Sequence, residues 1–156
     1  MSWKNVMARI KNTILITNQN ELSQIALYLK AKIGSSRALM LLDGELGAGK
    51  TTFTKELYRA YGGDPALIQS PTYSHIHEYP FEEGLFVHID LYREVIDLSE
   101  LTSDPSVRLI LVEWANQLML TEWIQIAQHD RLFLCKIEIE RYIQSNQRLF
   151  HVQFVA

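Results

Sequence analysis

Residues 37–53 read RALMLLDGELGAGKTTF, and this stretch decides the fold of the chain. Its first six residues are almost entirely apolar, which is typical of a strand buried on both faces of a parallel sheet. Residues 44–51, GELGAGKT, then match the pattern G-x-x-x-x-G-K-[ST] in full. Phe53, Leu57 and Tyr61 follow at helical spacing. A buried strand, a glycine-rich turn and an amphipathic helix in this order predict a phosphate-binding loop.

The residue types of this loop suit a nucleotide and its metal ion. Glycines permit backbone angles that a Cβ atom would forbid, so successive N–H groups can turn inward around an anion. The positive end of the following helix adds to this field. Lys50 places a charge between the β- and γ-phosphates, Thr51 offers a hydroxyl group to Mg²⁺, and Thr52 reaches the α-phosphate side. The predicted nucleotide-binding residues are Glu45, Leu46, Gly47, Ala48, Gly49, Lys50, Thr51 and Thr52.

Two acidic residues each follow a buried-type strand directly. Asp90 follows the apolar segment 85–89, and Glu113 follows 108–112. Mg²⁺ beside a phosphate prefers one or two carboxylates, and such groups lie at the carboxyl ends of neighbouring strands. Asp90 is assigned to the metal, whereas Glu113 either binds the metal through water or orients the attacking water. The predicted metal ligands are Thr51, Asp90 and Glu113, and the predicted catalytic residues are Lys50, Asp90 and Glu113.

The rest of the pattern predicts an α/β three-layer domain of the P-loop NTPase type. Beside the strand of residues 37–42, strands are expected at 13–17, 72–79, 85–89, 108–112, 132–139 and 149–155, and helices at 22–33, 53–61, 92–101 and 117–128. The turn at 82–84 predicts that the strands on either side of it pair antiparallel. We therefore expect residues 1–156 to form one domain, with a mixed, mainly parallel sheet and antiparallel edge strands.

The composition of the chain argues against several classes of protein. The formal net charge is −3 and the isoelectric point about 5.9, which argues against binding nucleic acid through bulk positive charge. Cys135 is the only cysteine, so no internal disulfide forms and a reducing cytoplasm is expected. No apolar run approaches the roughly 20 residues of a membrane span. Nor does the N-terminal segment have the features of a signal peptide. We expect a cytoplasmic protein without a membrane anchor.

Several weaker signals leave alternatives open. The segment SPT at 70–72 is either a plain turn or a hydroxyl-bearing loop that senses the γ-phosphate. His88 lies two residues before Asp90 and either orients that carboxylate or only packs. Trp114 follows the second acid and is either a stacking residue or a core residue.

Four blocks in one order resemble the bacterial TsaE family, also called YjeE. They are GELGAGKTTF at 44–53, SPTY at 70–73, HIDLYR at 88–93 and VEW at 112–114. The resemblance implies the ATPase component of tRNA N6-threonylcarbamoyladenosine (t6A) biosynthesis, which works with the partners TsaB and TsaD. Those partners carry out the transfer to tRNA, and ATP hydrolysis by the TsaE-like subunit resets their complex. The same resemblance implies roles at the nucleotide for Lys50, Thr51, residues 70–72, Asp90, Glu113, Trp114 and Arg148.

The chain also departs from the family pattern. Ala115 and Asn116 follow the Glu-Trp pair, where the family often has a proline and then an acidic or amide residue. The stretch between Arg93 and Arg108 is shorter than usual and lacks a glycine-containing segment. If that stretch contacts the partners, their docking surface differs here.

Three other functions are weighed against this one. A small-molecule P-loop kinase needs an acceptor pocket and usually an arginine-bearing lid, for which the short chain offers no convincing segment. A GTPase commonly carries Asn/Thr-Lys-x-Asp late in the chain, whereas the only Thr-Lys pair, Thr54-Lys55, lies in the predicted P-loop helix. A module that binds nucleotide but barely hydrolyses it conflicts with nothing in the sequence. ATP is therefore the expected nucleotide, with slow turnover by the isolated chain.

Overall fold

The structure, a computed structural model, describes residues 10–18, 21–71, 74–141 and 147–155. Its strands are β1 (Ile10–Asn18), β2 (Ala38–Gly44), β3 (Ile76–Phe81), β4 (Gly84–Asp90), β5 (Val107–Glu113), β6 (Phe133–Arg141) and β7 (Gln147–Val155). Its α-helices are α1 (Leu22–Ile33), α2 (Lys50–Ala60), α3 (Ser99–Ser103) and α4 (Leu120–His129). Single 3₁₀ turns occupy Pro65–Leu67 and Ala115–Gln117. In these ranges, no helix has the length and apolar character needed to span a bilayer.

The strands form one mixed sheet in the order β1-β7-β6-β2-β5-β4-β3. β4, β5, β2 and β6 are parallel neighbours at its centre. β3 pairs antiparallel with β4 at one edge, whereas β6, β7 and β1 pair antiparallel in succession at the other. The predicted mixed α/β sheet with antiparallel edge strands is confirmed, and so is the hairpin at residues 82–84.

Burial on both faces explains why the central strands are almost continuously apolar. Every residue of β5 is buried, as are the first five of β2. Met40 and Leu42 pack into the core under α1 and α2, whereas Leu39 and Leu41 pack into the core under α4. Cys135 is buried in the first of these cores, and this burial raises the pKa of its thiol. Three layers result, and the sheet positions the carboxyl ends of β2, β4 and β5 together.

The segment after β4 differs from the prediction. A helix over 92–101 is wrong for most of its length, because α3 begins only at Ser99. The Asp90 Oδ1 atom accepts a hydrogen bond from the Tyr92 N–H at 2.7 Å, and Asp97 Oδ1 accepts one from the Ser99 N–H at 2.9 Å. Such local side-chain bonds to the backbone compete with helix formation. The strand expected from residue 72 also begins later, at Ile76, and residues 72 and 73 lie outside the described ranges.

Candidate functional site

The predicted phosphate-binding loop connects the end of β2 to the start of α2. Gly47 has a φ angle of 74° and Gly49 one of 111°, both in the left-handed region that glycine adopts without strain. The Ala48 N–H donates to the Glu45 carbonyl at 2.9 Å and closes the turn. Gly49 directly precedes the first turn of α2. The backbone therefore has the tight, glycine-dependent turn at a helix N-terminus that anion binding requires.

Two arginines of the β6–β7 pair contact this loop. Arg141 Nε and Nη2 donate to the Gly47 carbonyl at 3.0 and 2.6 Å, and Arg148 Nε donates to the Ala48 carbonyl at 2.9 Å. The two arginines are register partners across the antiparallel pair. In a trans peptide the carbonyl and the following N–H point in opposite directions. Because the hydrogen bond from Arg148 fixes the direction of the Ala48 carbonyl, the Gly49 N–H points away from Arg148.

Lys50 is enclosed at the base of the loop. The residue is 7% exposed, and its Nζ atom donates to the carbonyls of Gly44 at 2.6 Å and Glu45 at 3.1 Å. The same ammonium group lies 4.5 Å from the ring centroid of Trp114, a cation–π distance. Burial lowers the pKa of Lys50, and the nearby carboxylates oppose that shift. The loop thus holds a buried cation whose contacts, among the described residues, are two carbonyl oxygens and an aromatic face.

The two predicted acids lie side by side. Asp90 and Glu113 are register partners on the parallel strands β4 and β5, and Glu113 is also opposite Leu42 of β2. Both residues are buried, at 2% and 3% exposure. Glu113 Oε1 is 2.9 Å from His88 Nε2. His88 therefore contacts Glu113 and not Asp90, the residue that the sequence analysis considered as its partner.

One cleft of about 350 Å³ brings most of the predicted site residues together. It is lined by Leu46, Gly47, Gly49, Lys50, Thr51, Thr52, Ser70, Asp90, Glu113 and Trp114. Glu45 and Ala48 do not line it. Glu45 is exposed, and Ala48 is buried against the end of β2. Ser70 is at the cleft as the resemblance implies, but Thr72 lies outside the described residues.

A second cleft of about 240 Å³ lies beside the same loop. Its lining residues are Leu22, Gly47, Ala48, Gly49, Thr52, Arg148 and Phe150. Leu22, Arg141 and Phe150 are not among the site residues predicted from the sequence. In the sequence, Leu22 only begins an amphipathic helix, and Arg141 and Phe150 only lie in or near the last two strands. Neither feature indicates a ligand.

Trp114 and His77 each contact a tyrosine side chain. The Trp114 backbone is left-handed, with a φ angle of 57°, and its ring lies 4.8 Å from that of Tyr92 between centroids. His77 Nδ1 is 3.0 Å from the Tyr79 hydroxyl.

Among the described residues, no group of three or more His, Cys, Asp or Glu side chains could hold a metal ion by itself. A metal ion at the cleft would need hydroxyl, phosphate or water ligands as well.

Comparison with known proteins identifies related chains. The family model for threonylcarbamoyl adenosine biosynthesis protein TsaE matches residues 16–149. The solved structure titled as the crystal structure of YdiB from Bacillus subtilis superposes with a TM-score of 0.66 at 28% identity. That superposition covers 94% of this chain and 88% of YdiB. It agrees with the mixed sheet and helices described above.

Curated relatives carry the name tRNA threonylcarbamoyladenosine biosynthesis protein TsaE. The relative from Aquifex aeolicus is 37% identical over 89 residues, which are 56% of this chain and 65% of the relative. The relative from Bacillus subtilis is 35% identical over 102 residues, 64% of this chain and 63% of the relative. The relative from Rickettsia felis is 31% identical over 107 residues, 66% of this chain and 62% of the relative. The chain thus spans slightly less than two thirds of the length of these relatives.

Proposed function

The chain belongs to the TsaE family, and on that premise we propose that it is an ATP-binding and ATP-hydrolysing accessory subunit of the t6A tRNA-modification machinery. It acts in the cytoplasm with TsaB- and TsaD-like partners and reaches tRNA only through them. One observation carries the proposal. The loop lysine and threonine converge with two buried carboxylates on a single cleft at the carboxyl ends of β2, β4 and β5.

Phosphate binding is the first step that this geometry supports. The Lys50 ammonium is bound to two backbone carbonyls, and a triphosphate offers oxygens with full negative charge in their place. Charge-assisted hydrogen bonds to such oxygens are stronger than those to neutral carbonyls. Lys50 therefore exchanges carbonyl contacts for phosphate contacts when ATP binds. The N-terminus of α2 and the Gly49 N–H supply further positive potential.

The residues present also fit Mg²⁺. Asp90 is a buried carboxylate that lines the same cleft as the Thr51 hydroxyl, and hard oxygen ligands of this kind are those that Mg²⁺ prefers. A bound Mg²⁺ would neutralise charge that develops on the phosphates. Glu113 lies beside Asp90 and can accept a hydrogen bond from a water molecule at the cleft. We assign Asp90 and Thr51 to the metal, and Glu113 to the metal's water shell or to the attacking water.

The second cleft fits the nucleoside part of ATP. It begins at Thr52 and the loop glycines, which the phosphates also contact, and it continues to the apolar side chains of Leu22 and Phe150. A cleft of mixed polar and apolar lining next to an anion site suits a nucleoside attached to phosphates. A phosphoryl acceptor would need a separate pocket at the γ-phosphate with a cationic lid. The short chain offers no convincing segment for such a lid, so we propose hydrolysis rather than a kinase reaction.

Binding of Mg²⁺-ATP is expected to change the fluorescence of Trp114. The ammonium of Lys50 leaves the face of this ring when it turns to the phosphates, and indole emission responds to a nearby charge. A titration of the purified chain followed by fluorescence and by calorimetry measures both events. Trp114→Phe is the control, because it should retain the heat of binding while the signal disappears.

Two results of that titration would contradict the proposal. Absence of heat with ATP and ADP, for the folded chain alone and with its partners, would remove the nucleotide site. Equal affinity for GTP and ATP would leave the site but remove the preference for adenine.

Hydrolysis is expected to be slow for the isolated chain and faster in the presence of TsaB- and TsaD-like proteins. Within the described residues, Arg141 and Arg148 donate to the carbonyls of Gly47 and Ala48, and we propose that a partner protein supplies the cation that stabilises the transition state. Such a cation supplied by a partner accelerates related P-loop enzymes by about 10³- to 10⁵-fold. Phosphate release measured with and without the partner proteins tests this expectation. A rate that the partners leave unchanged would contradict it.

A further inference from the structure

His88 and Glu113 form a buried polar contact. The proposed function assigns a role to Glu113 but none to His88. His88 lies on β4 with a fully buried side chain, and its Nε2 atom is 2.9 Å from Glu113 Oε1. In the part of the chain that the structure describes, the other ring nitrogen, Nδ1, is buried and has no hydrogen-bond partner. If His88 only filled space in the core, another flat side chain would serve as well. The imidazole of His88, however, also makes a polar contact with Glu113, a residue of the cleft.

The unpartnered nitrogen identifies the tautomer. With the proton on Nε2, the ring donates to the Glu113 carboxylate and leaves only a lone pair unsatisfied at Nδ1. With the proton on Nδ1, a buried N–H would lack an acceptor, and Nε2 would face the carboxylate with lone pair against lone pair. Buried N–H groups without partners are rare, whereas under-satisfied acceptors are more often tolerated. Of the two neutral tautomers, the one with the proton on Nε2 is therefore favoured.

We propose that His88 is a positioning residue that fixes the orientation of the Glu113 carboxylate through an Nε2–H···Oε1 hydrogen bond. This inference rests on the proposed ATPase function. With Oε1 engaged by the imidazole, Oε2 is the oxygen left to act in the cleft. Oε2 can then bind a water molecule or a metal ion, in an orientation that the hydrogen bond to His88 fixes. His88 itself does not contact the nucleotide cleft.

Two substitutions separate the hydrogen bond from the packing. His88→Gln places an amide N–H close to the position of Nε2 and keeps the donor, whereas His88→Leu keeps an apolar volume and removes it. We expect His88→Leu to lower kcat by about 10- to 100-fold, the usual cost of losing a group that orients a site residue. His88→Gln should restore most of the wild-type kcat. Nucleotide affinity should be unchanged in both, because His88 does not line the cleft.

A matched control is available at an exposed position. His129 lies at the end of α4, and its side chain is 85% exposed. His129→Leu makes the same chemical change away from the cleft and should leave kcat and nucleotide affinity unchanged. Melting temperatures of the three variants show whether a loss of kcat only follows a loss of stability.

Nuclear magnetic resonance of the ¹⁵N-labelled wild-type chain reads the tautomer without any need for turnover. The signals of His88 are those that disappear in His88→Leu, and they should report a protonated Nε2 and an unprotonated Nδ1. The opposite tautomer would overturn the inference. So would a wild-type kcat in His88→Leu, or losses of kcat in both His88 variants that follow their losses of stability. Failure of the proposed function is a separate result, in which the wild-type chain with its partners releases no phosphate from ATP.

Discussion

Replacing Lys50 by alanine should abolish detectable ATP turnover and weaken nucleotide binding by about 10- to 100-fold. Lys50 is the cation buried within the cleft, and its ammonium is bound there to two loop carbonyls. A hydrogen bond to a charged group contributes about 1.5–3 kcal/mol, which sets the expected loss of affinity. Removing one donor aimed at developing charge typically costs about 10²- to 10³-fold in kcat. Phosphate release and calorimetry with ATP measure the two effects.

Lys50→Met is the matched control for this substitution. Methionine fills most of the volume of the lysine stem beneath Trp114 but carries no charge. If charge is the cause, Met and Ala variants lose turnover to the same degree. If lost packing is the cause, the Met variant recovers. Full turnover in either variant would reject the role assigned to Lys50, and circular dichroism verifies that each variant is folded.

The loop and its acids could be predicted from the sequence because their signals are local. The pattern at 44–51 fixes the loop by itself, and a buried strand before it fixes the context. Asp90 and Glu113 could be predicted to lie at one edge of the sheet because each comes at the carboxyl end of an apolar segment of the strand type. Their direct pairing in register depends on the register between β4 and β5, which shifts at Leu85 and Phe86 and which the sequence pattern does not predict.

Other features depend on contacts between residues far apart in the chain. Arg141 reaches Gly47 across 94 positions, and Arg148 reaches Ala48 across 100. No local period or motif marks an arginine in a strand as a partner of a distant carbonyl. His88 was considered as a partner of Asp90 because the two are close in sequence. Neighbouring strands instead bring it to Glu113, 25 positions away.

The helix predicted at 92–101 is absent over most of its length for a different reason. Its apolar spacing resembles that of a helix, but Asp90 binds the backbone of Tyr92 and stops regular structure at the end of β4. The same carboxylate is a predicted metal ligand. Asp90 therefore connects the conformation of the segment 91–98 with the chemistry of the cleft, which makes its substitutions informative about both.

Replacing Asp90 by alanine should abolish turnover, and Asp90→Asn should have nearly the same effect. Both changes remove the carboxylate charge that is proposed to hold Mg²⁺. Only alanine also removes the oxygen that accepts the Tyr92 N–H at 2.7 Å. The asparagine variant should therefore keep the segment after β4 in place and still fail to hydrolyse ATP.

The measurement that separates charge from structure is nucleotide affinity with Mg²⁺ and with a chelator. For the wild-type chain, Mg²⁺ should strengthen ATP binding, because Asp90 and Thr51 both line the cleft. For Asp90→Asn, the affinity without Mg²⁺ should be at least the wild-type value, since Lys50 and the loop amides are unchanged and a carboxylate that repels the phosphates is removed. Most of the gain from Mg²⁺ should be lost. If Asp90→Asn hydrolyses ATP at the wild-type rate, the carboxylate does not serve the metal. Its role is then limited to the turn at Tyr92.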